Sequence, residues 1–105
     1  MSTLIDFSIF PLDKGESVSP YVARVVTIIR HSGLQYKIGP MGTTIEGEWE
    51  ELMEVVTRCF KELKKDCGRI YVSVKFDYRE HGSNRIISKV KSVGGTEDSC
   101  CEQNR

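Results

Sequence analysis

Arg69-Ile70-Tyr71-Val72-Ser73-Val74-Lys75-Phe76-Asp77-Tyr78-Arg79 is the stretch on which the fold turns. Ile70, Val72, Val74 and Phe76 share one side; Tyr71, Ser73, Lys75, Asp77 and Arg79 share the other. Period two with β-branched and aromatic residues on one side predicts a long, half-buried strand. Just upstream the period changes. Trp49, Leu52, Met53, Val56, Phe60 and Leu63 recur at helical spacing, with Glu46, Glu48, Glu50 and Glu51 near the start and Lys61, Lys64 and Lys65 near the end. That ordering suits the helix dipole at both termini, so these residues predict a helix closed by Gly68.

Further upstream, Leu34 to Ile38 and Thr43 to Ile45 flank the turn Gly39-Pro40-Met41-Gly42 and read as a hairpin. Val22, Val25, Val26 and Ile29 form a second helical stripe, entered through Ser19 as N-cap with Pro20 at the first helical position and stopped by Gly33. Leu4 to Phe10 alternates again, with Ile5, Phe7 and Ile9 on one side. Downstream, Gly82-Ser83-Asn84 opens a short last helix through Ile86, Ile87 and Val90, and from Gly94 the chain has no apolar periodicity. The expectation is one domain over 1–93 and a flexible tail over 94–105.

The order β-α-β-β-α-β predicts an α+β, ferredoxin-like sandwich: a four-stranded antiparallel sheet with two helices on one face, plus a short C-terminal helix. The apolar strand faces and the helical stripes make its core. The other sheet face would carry Asp6, Ser8, Tyr71, Ser73, Lys75, Asp77 and Arg79, with the apolar Leu4 and Phe10 among them. A solvated polar face is the default for such a sheet. The mixture of both charges with apolar groups instead predicts self-association through this face into a homo-oligomer.

Fifteen Lys and Arg balance fifteen Asp and Glu, giving zero net charge over 105 residues. A nucleic-acid partner would want a basic face, which this balance does not supply. No apolar run approaches the length of a membrane span. The first residues, Met1 to Asp6, lack the basic start of an export signal, so a cytoplasmic protein with reduced cysteines is expected. Cys59 falls in a helical pattern and reads as a small core residue; Cys67 precedes a strand, and Cys100-Cys101 lie in the tail. With no C-x-x-C and only His31 and His81, neither a metal site nor a nucleophile-base pair is expected, and the reading is no enzyme. Glu50 and Glu51 are explained by the helix start. The segment Gly39 to Trp49 is different: glycines, hydroxyls, Glu46 and the only tryptophan fall within eleven positions. Those are ingredients of a small-molecule pocket, and equally of a tight hairpin running into a helix.

Several runs, Phe7-Ser8-Ile9-Phe10-Pro11-Leu12, Ser17-Val18-Ser19-Pro20-Tyr21-Val22, Ser32-Gly33-Leu34-Gln35-Tyr36 and above all Gly39-Pro40-Met41-Gly42-Thr43-Thr44-Ile45-Glu46-Gly47-Glu48-Trp49, resemble the small thiamine-binding proteins of the YkoF-like group. The resemblance runs from about residue 4 to residue 90. It implies a ferredoxin-like subunit, assembly through the sheets into dimers and tetramers (a dimer of dimers), and binding of thiamine or a related pyrimidine or thiazole without chemistry or cofactor. Carried onto this sequence, it makes Trp49 or Tyr36 the stacking partner of the ligand and Glu46 and Asp6 the balance for a thiazolium cation. It makes Ser8, Thr43 and Thr44 hydrogen-bond partners of the pyrimidine edge. The alternative is a ligand-free oligomeric module in which the Gly39–Thr44 run only shapes a hairpin at a subunit interface.

Overall fold

The two longest strands lie side by side. In the computed structural model, which describes residues 2–81 and 85–87, β1 (Ser2–Pro11) pairs antiparallel along its whole length with β4 (Ile70–Arg79). On its other edge β1 pairs with β3 (Thr43–Gly47), which pairs with β2 (Gln35–Ile38), giving the order β2-β3-β1-β4. The helices α1 (Ser19–His31) and α2 (Trp49–Lys64) cover one face. This is the ferredoxin-like arrangement read from the sequence, with β1 and β4 as neighbours.

The register fixes which side chains meet. Ile5 stands opposite Ile45 and Phe76, and Phe7 opposite Thr43 and Val74, all on the helix side. Ile5, Phe7, Ile9, Ile45, Leu52 and Leu63 are buried there, each contributing about 1.5–3 kcal/mol relative to exposure. The cysteine at position 59 belongs to the same core, as expected, and Cys59 and Cys67 are both free thiols. Two helical details differ from the sequence reading. The N-cap of α1 is Val18, which places Pro20 at the second helical position, and no side chain caps it. In α2 the residues facing the core are Leu52, Val55, Cys59 and Leu63, while Trp49, Met53 and Phe60 are partly exposed. A capping box between Glu48 and Glu51 starts that helix, which accounts for part of its acidic crowd. Arg24 of α1 joins Glu62 of α2 and Asp66 just beyond its end at 2.9 and 3.0 Å, tying the helices together.

The apolar side of β4 is not wholly core. Ile70 and Val74 pack against it, but Val72 and Phe76 are exposed, because β4 is the sheet edge and α2 lies mainly over β1. The opposite sheet face is half covered. Residues 85–87 are helical and lie against it, where Ile86 buries Leu4 in a second small core. Arg85 is buried with them; its Nη1 donates to the carbonyls of Ser2 (3.2 Å) and Asp77 (2.9 Å) and its Nη2 pairs with the Asp77 carboxylate. The rest of the expected last helix, including Val90, and the 94–105 tail lie outside the described residues.

Burial pushes the Cys59 thiol up from its ordinary 9.0 to about 12. The folded chain therefore holds this proton more tightly than the unfolded chain, so the associated stability is complete below pH 9 and is lost as pH rises toward 12. Between about pH 8 and about pH 10 the wild type should lose roughly 1.4 kcal/mol relative to Cys59→Ala. Urea midpoints of both proteins at the two pH values check this; parallel changes would contradict it.

Candidate functional site

Strand β3 has five residues and β1 has ten, so the pairing between them stops at Phe7 and Thr43. Beyond that point Ser8 to Pro11 pair with β4 only. Their other backbone edge has no strand partner among the described residues and faces the turn from Gly39 to Gly42. Helix α1 crosses above. Between these parts lies a cleft of about 280 Å³. Phe7 and Ile9 contribute its floor, Val22, Val26 and Ile29 its helical wall, and Ile38, Thr43 and the turn its far side. Val22 is the most exposed of the α1 stripe because it borders this opening.

The turn is held tightly. The Gly39 N–H donates to the Gly42 carbonyl at 2.8 Å. A Cβ on Gly42 would stand 3.1 Å from both Asp6 Oδ1 and the Phe7 carbonyl, and one on Gly39 would stand 3.0 Å from the Gly42 oxygen. These approaches explain why glycine occupies both ends of the turn.

Of the seven residues expected to contact a ligand, Thr43 and Ser8 line this cleft. Thr43 is buried and, opposite Phe7, belongs to the helix side, so its hydroxyl is the side-chain polar group set into the cavity wall. Ser8 belongs by register to the other face, opposite Ser73, and offers the cleft its backbone. Asp6 is exposed on that other face, with its carboxylate at the back of Gly42. Thr44 stands between Asp6 and Lys37 on the same face. Tyr36 is buried behind the hairpin, its hydroxyl accepting from Arg30 Nε at 3.4 Å. Glu46 lies beneath residues 85–87: its carboxylate accepts the backbone N–H groups of Arg85 (3.0 Å) and Ile86 (3.3 Å), the work of a helix N-cap. Trp49 starts α2 and stacks on Phe76 with ring centroids 4.5 Å apart, away from the cleft.

Val22 and Val26 were read as part of the core-forming stripe and prove to be cavity wall, joined there by Ile38. Nothing in a valine stripe separates a residue facing packed neighbours from one facing a void. The legible signal was length, since the strand ending at Phe10 outruns either arm of the hairpin. Among the described residues, no group of three or more His, Cys, Asp or Glu side chains could hold a metal ion.

The model of the thiamine-binding protein family matches residues 5–94. The chain belongs to that family. A UPF0045 protein of Methanocaldococcus jannaschii is 33% identical over 89 residues, covering 85% of this chain and 89% of its own. Another, from Eremothecium gossypii, is 40% identical over 96 residues, covering 89% of this chain and 90% of its own. The family fold recurs in the crystal structure of a hypothetical M. jannaschii protein, with a TM-score of 0.82, 31% identity, and coverage of 89% and 96% of the two chains. A Thermotoga maritima protein given a provisional role in thiamine biosynthesis or salvage aligns with a TM-score of 0.79 and 26% identity, covering 89% of this chain and 99% of that one.

Two substitutions separate the turn from the cap. Gly42→Ala should push the turn off β1, costing about 1 kcal/mol or more. Glu46→Ala should leave the cleft intact and cost about 1–2 kcal/mol through the two N–H groups it deserts. Chemical denaturation gives both costs. Amide exchange at Arg85 and Ile86 should quicken in Glu46→Ala alone.

Proposed function

We propose that this family member binds thiamine, or a pyrimidine related to it, in the cleft beside β1 and releases it unchanged. The observation that carries the reading is an apolar slot bordered by a strand edge that has no strand partner among the described residues. An aminopyrimidine presents alternating hydrogen-bond donors and acceptors along one side of a flat, largely apolar ring. A strand edge presents the same alternation, and the valine wall would cover the ring faces. The Thr43 hydroxyl adds one directed contact. At about 280 Å³ the cleft sits at the small end of ligand pockets, which suits a single ring with its substituents inside and the remainder toward the turn. Asp6, at the back of the turn, is the carboxylate placed to balance a thiazolium there.

In this reading the Thr43 hydroxyl and the Ser8 backbone face the ligand, with Asp6 behind the turn. Glu46 and Tyr36 hold the hairpin, while Thr44 and Trp49 act on other surfaces. Catalysis has no part in it, and the working form is a cytoplasmic homotetramer built as a dimer of dimers. Among the described residues no helix is long and apolar enough to cross a membrane.

The ligand-free module draws on one observation, Met41 standing 88% exposed at the tip of the turn, where a neighbouring subunit could cover it. Isothermal titration with thiamine and with a 4-aminopyrimidine decides between the two. Saturable heat that weakens about tenfold in Thr43→Val and disappears in Val22→Trp, which fills the slot, supports ligand binding. Absence of heat with either ligand from the folded protein, joined to a subunit number that changes in Met41→Glu, would replace it with the module.

A further inference from the structure

Each residue of an antiparallel strand turns its N–H and C=O to one neighbouring strand, and the next residue turns them to the other. Two contacts fix this parity in β1. The Leu12 N–H donates to the Arg69 carbonyl at 2.8 Å, one step beyond the Pro11–Ile70 pair, so even-numbered residues face β4. The Phe7 carbonyl lies against Gly42, 3.1 Å from where a Cβ would stand, so odd-numbered residues face the hairpin. Phe7 meets Thr43 there, in the last pair of the β1–β3 ladder. Ser8 borders the cleft with its backbone but turns its N–H and C=O to Ser73, and Phe10 turns to Tyr71. Pro11 has no N–H. Ile9 is left as the one residue past the ladder that offers the cleft both a donor and an acceptor. Among the described residues neither group has a hydrogen-bond partner, although Ile9 is only 5% exposed. An N–H left without a partner at such depth is rare in folded proteins, and this one opens onto a void the size of a ring.

We infer that Ile9 selects the ligand, its N–H donating to a ring nitrogen and its C=O accepting from an amino group on the adjacent ring carbon. The inference rests on the binding reading above and narrows its ligand class to rings that carry this edge. A 4-aminopyrimidine carries it and a pyrimidin-4-one does not. Strand direction sets the pose. From Phe7 toward Pro11 the free edge runs donor, then acceptor, so ring atom N3 lies on the Phe7 side and the 4-amino group on the Pro11 side. C2 then lies beside Thr43, which stands opposite Phe7. C5, the carbon that bears the thiazolium arm of thiamine, lies toward the turn. A 4-oxo ring has a hydrogen on N3 and an acceptor at C4, the reverse order. In the same pose it sets N–H against N–H and oxygen against oxygen, leaving both backbone groups unpaired. Turned over to restore the two bonds, it carries the C5 arm into the end closed by β3. The selecting groups belong to the backbone of a residue whose side chain is core, so no polar side chain marks the position in the sequence.

Titration of the full-length protein with matched ligands tests the assignment. Thiamine should bind about tenfold or more tightly than its counterpart with a 4-oxo group, and 4-aminopyrimidine about tenfold more tightly than 4-methylpyrimidine, which keeps N3 and the shape but lacks the amino donor. The second arm places an ester where the Ser8–Ile9 amide stands, which removes the Ile9 N–H and keeps the isoleucine side chain. In that protein thiamine should weaken about tenfold while the 4-oxo compound changes little, so the preference between them collapses. Damage to the fold would weaken both ligands together and leave the preference intact. The two wild-type comparisons stand even where the ester protein does not fold. Equal affinity for amino and oxo ligands, or an ester protein that keeps the wild-type preference, overturns the role of Ile9 and leaves binding in the cleft standing. A wild type that binds none of the four compounds overturns both.

Discussion

A ten-residue strand flanked by one equal partner and one half its length cannot be paired along both edges. That mismatch around β1 is the constraint on which the rest of the molecule depends. Because β4 matches β1 in full, the sheet is anchored on that side and both of its faces are defined to their ends. Because β3 stops at Thr43, the last four residues of β1 meet a turn instead of a strand, and α1 bridges a gap instead of lying on a continuous surface. The cleft is the space left over. Its polarity follows from its origin: side chains supply apolar walls, and the interrupted ladder supplies backbone donors and acceptors that nothing else in the described chain uses.

The fold was legible because it rests on periodicity. Alternation in 70–79 and in 4–10, helical stripes in 22–29 and 49–63, and glycine at 33 and 39 to 42 each correspond to an element, and the face assignments survive into the observed register. Boundaries and caps were less legible. Val18 in place of Ser19 at the cap of α1 reflects where the chain turns into the helix, a tertiary matter on which capping preference has only a weak hold.

The site was legible as a segment and not as a set of contacts. The hairpin from Gly39 to Thr43 does border the cleft, but sequence distance from it carries no direction. Glu46 and Trp49 are three and six residues beyond Thr43, and they point to opposite faces and different neighbours. Glu46 meets the N–H groups of residues 39 and 40 positions downstream, a pairing that depends on where the chain returns after β4. Trp49 leans outward because α2 lies mainly over β1, leaving its far flank above an edge strand. Both placements are set by packing between elements, which no local pattern encodes.

Thr43 and Glu46 belong to one strand of five residues, and from this follows a property of the whole hairpin. A slip of a single position against β1 would turn every side chain of β3 to the opposite face. The hydroxyl in the cleft and the carboxylate under residues 85–87 would be lost in the same event. Neither can drift while the other is kept, so the hairpin behaves like a key with two bits cut on one blade, and the close seating of Gly42 against Asp6 and Phe7 is what stops the blade from sliding.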